Sequence, residues 1–89
     1  MSAPQKSRVN FALHAPGARE VFVAGTFNNW NPECRPLRCD KKGVWRTWMN
    51  LPSGQHEYRF IVNGMWQEDP SAQERANNPF GAYNSVVSV

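Results

Sequence analysis

"QHEYRFIVNGMWQED", Gln55 to Asp69, carries the most decisive local signal in the chain. Asn and Gly tolerate left-handed backbone, so Asn63-Gly64 between two apolar runs specifies a two-residue hairpin turn. With that loop length Val62 lies opposite Met65, Ile61 opposite Trp66 and Arg59 opposite Glu68. Successive side chains alternate between the faces of a strand, so Tyr58, Phe60 and Val62 form the buried face. Arg59 and Trp66 then share the outer face. A cross-strand Arg59–Glu68 ion pair is expected there, worth about 0–1 kcal/mol when exposed.

Upstream, "RVNFALHA" (8–15) alternates Val9, Phe11 and Leu13 with Arg8, Asn10 and His14, the two-residue period of a half-buried strand. "APGA" (15–18) is a turn, and "REVFVAG" (19–25) returns as a strand that is apolar on both faces. "PLRCD" (36–40) reads as a short strand and "DKKG" (40–43) as a turn. In "VWRTWMNL" (44–51) Trp45, Met49 and Leu51 share the core face by parity, and Trp48 points the other way. Downstream, "DPSAQERANNPFGAYN" (69–84) shows no strand period and is expected to be a long loop, with Asp69-Pro70 able to start one helical turn. "NSVVSV" closes the domain as a last strand. About seven short strands separated by regular turns, with no long helix, describe an all-β chain folded as a β-sandwich.

The 89 residues suffice for one domain, expected to span 7–89 behind a flexible tail at 1–6. The ten Lys and Arg against seven Asp and Glu are scattered along the sequence, and their longest run is Lys41-Lys42. A nucleic-acid footprint would be a denser stripe, so the excess reads as a solvated surface with no nucleic-acid partner. "MSAPQKSR" has no apolar signal core and no segment could span a bilayer, so the expectation is a cytoplasmic protein without membrane contact. Cys34 and Cys39 have four residues between them, without the spacing or histidines of a metal site. Free thiols are expected, or a disulfide in an oxidising compartment. His14 and His56 have no triad partners, and Glu68 and Asp69, being adjacent, face opposite ways on a strand. No catalytic constellation, metal site or cofactor is expected.

Three motifs in order, "VFVAGTFNNW" (21–30), "LPSGQHEYRFIVNGMWQEDP" (51–70) and "NPFGAYNSVVSV" (78–89), resemble the glycogen-binding domain of AMP-activated protein kinase beta subunits and the family-48 carbohydrate-binding modules. The resemblance covers 9–89. It implies an immunoglobulin-like early-set sandwich that binds α-1,4-linked glucan (glycogen, starch or maltooligosaccharides) without catalysis. Carried onto this sequence, it makes Trp30 and Trp66 the two sugar-stacking platforms and Arg59 and Asn84 the hydrogen-bonding groups. Phe80 becomes an apolar contact beside the curve of the glucan.

The residue types suit that chemistry. Pyranose rings present apolar C–H faces and hydroxyl rims, so a curved glucan is matched by angled aromatic rings and a few fixed polar groups. Each position also has a plainer use. Trp30 could fold back on the core, Asn84 could cap a turn before the last strand, and Phe80 could plug the long loop. Outward Trp48 marks a partner or dimer surface in the rival reading, a protein-interaction module docking on a glucan-metabolising enzyme or kinase.

Overall fold

The computed structural model describes residues 6–89. Eight strands follow in order: β1 (Lys6–His14), β2 (Val21–Gly25), β3 (Arg38–Cys39), β4 (Val44–Pro52), β5 (Gln55–Val62), β6 (Met65–Gln67), β7 (Glu74–Asn77) and β8 (Tyr83–Ser88). A short 3-10 turn, Thr26–Asn28, follows β2. One antiparallel sheet has the order β1-β4-β3 and the other β2-β5-β8-β7, with β6 also paired to β5.

The predicted parity holds in both sheets and produces the sandwich. Phe11, Leu13, Trp45, Met49 and Leu51 of the first sheet are buried in one cluster with Val21, Val23, Tyr58 and Phe60 of the second. Phe11 and Tyr58 meet edge to face across the layers at 5.0 Å, and Tyr58 stands on Phe60 at 5.8 Å. Each such side chain contributes about 1.5–3 kcal/mol of transfer free energy. Trp45 also donates its indole N–H to the Ala15 carbonyl at 3.0 Å, which anchors the turn after β1.

The chain crosses between the sheets at 35–39. Val23 N–H donates to Arg35 and Leu37 N–H to Val21, at 3.0 and 2.8 Å, so this segment first lines the edge of β2. Arg38 and Cys39 then pair with Arg46 and Trp45 of β4. Pro36 has no N–H to donate and sits where an edge tolerates it. Leu37 is buried between the layers. Both cysteines are exposed free thiols.

The hairpin forms in the expected register, with Val62 opposite Met65 and Ile61 opposite Trp66. Asn63 and Gly64 take φ values of 50° and 82°. The Asn63 side chain does more than turn the chain: its Oδ1 accepts from the N–H groups of Arg19 and Glu20 at 2.8 and 3.2 Å. Asn63→Ala loses both acceptor contacts and strains the left-handed backbone. It is expected to lower stability by about 2 kcal/mol and the melting temperature by about 10 °C, measured by thermal unfolding.

Four expectations are corrected. The Arg59–Glu68 pair does not form, because the β5–β6 ladder ends at Phe60–Gln67 and Glu68 instead meets Arg75 at 3.6 Å. Residues 74–77 are a strand rather than loop: β7 is a polar edge strand held by its backbone pairing to β8, so it lacks the apolar alternation that would reveal it. Asp69-Pro70 starts a turn and no helix, with the Asp69 carboxylate accepting from Ser71 N–H at 2.8 Å. Lys6, placed in the flexible tail, pairs with Pro52 as the first residue of β1, and the rest of that tail lies outside the described residues.

Asp69 also ties the loop after β6 to the sheet. Tyr58 donates its hydroxyl proton to Asp69 Oδ2 at 2.5 Å, and Asp69 N–H donates to Ser85 Oγ at 2.9 Å. Burial, and then the carboxylate, push the Tyr58 phenol well above its ordinary value of 10.0. The folded chain thus holds this proton more tightly than the unfolded chain. The associated stability is fully present below pH 10 and is lost as pH rises beyond it. Denaturant titrations between pH 8 and 11.5 should show that decline, and a shallower one in Tyr58→Phe.

Candidate functional site

The site begins at the glycine that ends β2. Gly25 has extended backbone, with φ at −169°. A Cβ there would overlap the Glu57 carbonyl oxygen and the Phe27 ring, so only glycine permits this approach to β5. Asn28 then closes the turn: its Oδ1 accepts from Gly25 N–H at 3.0 Å and its amide donates to the Val23 carbonyl at 3.2 Å. Trp30 N–H donates to Gly25 O at 2.9 Å.

This turn leaves Asn29 and Trp30 in consecutive left-handed conformations, φ 55° and 58°. Asparagine tolerates that region, whereas a bulky aromatic there costs about 1–2 kcal/mol. Such strain concentrates where geometry serves function. Its result is an indole held next to that of Trp66, ring centres 6.4 Å apart and planes at 45°.

The two indoles edge an open cleft of about 800 Å³ on the outer face of the β2-β5-β8-β7 sheet. Arg59, Phe80 and Asn84 line the same cleft, so all five nominated residues converge although 54 positions separate the first from the last. Trp66 is 42% exposed and Phe80 91%, so Phe80 plugs nothing. Trp30 is half-buried and faces the cleft.

Asn84 is 8% exposed and lies within β8, paired with Ala76, so it does not cap a turn. Its amide donates to Glu57 Oε1 at 3.1 Å, and its Oδ1 accepts from Asn78 Nδ2 at 3.3 Å. Asn78 Oδ1 in turn accepts from the N–H groups of Phe80 and Ala82, shaping the loop that presents Phe80. Arg59 stands where the second edge of β5 passes from β8, which pairs 55–58, to β6, which pairs 60–62. Its Nε is buried and has no acceptor among the described residues. A donor in that condition is worth about 1–3 kcal/mol to whatever oxygen meets it.

Glu57, Thr26, Asn77, Asn78 and Pro79 complete the lining and were not anticipated. Glu57 had a readable signal, since it precedes Arg59 by two positions and shares its outward parity. Asn78 had only its turn-forming character, and Thr26 and Asn77 none. The arrangement offers angled aromatic faces over a floor of amide, guanidinium and carboxylate groups, of which the Asn84 amide is held by Glu57. It can stack flat rings and hydrogen-bond neutral hydroxyls. Among the described residues no group of His, Cys, Asp and Glu could hold a metal ion, and no helix is long and apolar enough to cross a membrane.

Residues 8–89 match the family described as the glycogen recognition site of AMP-activated protein kinase. The chain is 32% identical over 85 residues to 5'-AMP-activated protein kinase subunit beta-2 of Homo sapiens, covering 96% of this chain and 30% of that protein. It is 32% identical over 87 residues to subunit beta-1 of Rattus norvegicus, covering 98% and 31%. Subunit beta-1 of Bos taurus is 33% identical over 87 residues, also covering 98% and 31%. The chain therefore spans less than a third of these curated relatives.

Proposed function

This chain belongs to the family of glycogen recognition sites of AMP-activated protein kinase, and from that premise we propose that its cleft binds α-1,4-linked glucan without catalysis. The observation that carries the proposal is the pair of indoles at 45° beside Arg59 and Asn84. A helically curved glucan turns successive rings by an angle, and two tilted platforms match neighbouring sugars where parallel ones would not. Trp30 and Trp66 stack on pyranose faces, the amide of Asn84 and the guanidinium of Arg59 bond hydroxyls, and Phe80 adds an apolar contact at the open side. A shallow cleft of this kind binds short oligosaccharides with Kd on the order of micromolar to millimolar. Repeated sites on a polymer raise the apparent affinity.

The relatives are subunits of a kinase, and we read the module as one that brings a protein partner to its glucan.

Titration of tryptophan fluorescence with β-cyclodextrin and maltoheptaose tests the reading, with cellohexaose as the straight-chain control. Saturable change with the α-glucans alone, unaffected by salt, is the expected result. Equal response to cellohexaose, or no response to any sugar, would sink it. Glu57→Ala releases the Asn84 amide from its fixed orientation. It should weaken maltoheptaose about tenfold, the worth of roughly one hydrogen bond, while the fluorescence change at saturation persists.

A further inference from the structure

We propose that the outer face of the β1-β4-β3 sheet, on the opposite side of the sandwich from the cleft, is a docking surface for an acidic polypeptide segment. The basic residues are scattered in sequence but sorted in space. Residues 6–14 and 38–52, the strands of this sheet with the β3–β4 turn, hold Lys6, Arg8, Arg38, Lys41, Lys42 and Arg46 against a single carboxylate, Asp40. That is six of the ten bases and one of the seven acids, a net +5. The rest of the chain has four bases and six acids, a net −2. The overall charge of +3 conceals this division.

Strand parity sets the face. Phe11, Leu13, Trp45 and Met49 turn inward, so Lys6, Arg8, Arg46 and Trp48 turn outward, and all four are exposed. Arg38 lies directly across from Arg46 in the ladder. Like charges so placed are unfavourable, and Asp40 reaches Arg46 alone, at 3.4 Å. Lys6, Arg8 and Arg38 have no carboxylate partner among the described residues. The Arg8 guanidinium lies 4.4 Å over the ring of Trp48, which is 48% exposed. Stacking restrains that guanidinium, so less side-chain freedom is lost when it meets an anion.

The same contact selects the occupant. Single-stranded nucleic acid needs bare aromatic rings for its bases. This face offers one large ring, and the Arg8 guanidinium already occupies one side of it. Carboxylates of an extended acidic segment need only the forked guanidinium donors, which pair with them bidentately. The proposal is independent of the glucan reading.

Poly-L-glutamate at low salt is the probe, followed by NMR of the whole chain. The amides of Arg8, Arg38 and Arg46 and the Trp48 indole should shift, those of Trp30 and Trp66 should not, and β-cyclodextrin should bind at the same time. The triple variant Arg8→Gln, Arg38→Gln, Arg46→Gln should weaken poly-L-glutamate at least about tenfold, as loss of complementary charge does, with β-cyclodextrin affinity unchanged. Shifts spread over the surface, or unaltered affinity in the variant, would overturn the proposal. So would tighter binding of oligo(dT) or of phosphatidylserine vesicles than of poly-L-glutamate at equal charge, since the face would then serve another class of partner.

Discussion

Trp66→Ala is expected to abolish measurable binding of maltoheptaose while leaving the fold intact. Trp66 lies on β6, a three-residue strand with every side chain exposed, so its removal empties no core. The loss should be at least about 2 kcal/mol, as for a central aromatic anchor, or roughly a thirtyfold rise in Kd. Trp30 permits a sharper comparison, because its left-handed backbone is strained by a bulky side chain. Trp30→Gly should lose binding as fully as Trp66→Ala yet melt at the same temperature as the parent or higher, since glycine relieves that strain. Isothermal titration and thermal unfolding of the two variants decide the matter. Binding retained in both would remove the tryptophans from the site, and a collapsed Trp30→Gly would make that residue structural.

The second large effect is on stability and arises where the cleft is built. Gly25→Ala introduces a Cβ into the Glu57 backbone carbonyl, which is part of the central strand and cannot rotate aside. Overpacking of this kind costs about 3 kcal/mol, so the melting temperature should fall by about 15 °C. The displacement would fall on Glu57, which orients Asn84, and on Phe27, which packs against Phe11 at 5.6 Å. A melting temperature within about 2 °C of the parent would show that β2 and β5 separate easily there and that the cleft floor is not rigid.

Much of the fold was readable because it rests on short-range chemistry. Asn63-Gly64 defines a turn, the turn defines a register, and the register assigns each neighbouring side chain to a face. That chain of steps placed Trp66 and Arg59 outside and Phe60 inside. It failed where pairing is specified by backbone alone: Glu74–Asn77 shows nothing in its side chains that distinguishes an edge strand from a loop. It failed also one step beyond the hairpin ladder, where Glu68 follows the departing chain to Arg75. The five nominated cleft residues came from the likeness of three motifs to a known family. Periodicity could place two of them on one face but could not bring Trp30, Phe80 and Asn84 beside them.

The two-residue alternations, the hairpin and the apolar inventory were legible in the residues alone, since each depends on residues within a few positions of one another. The relay from Glu57 through Asn84 to Asn78, the buried Arg59 nitrogen and the gathering of positive charge on one sheet emerged with the folded sandwich and not before. Those features join strands that meet only when the sandwich closes. Parity tells each side chain which face to take, and the packing of the two sheets determines which strangers in sequence it meets there.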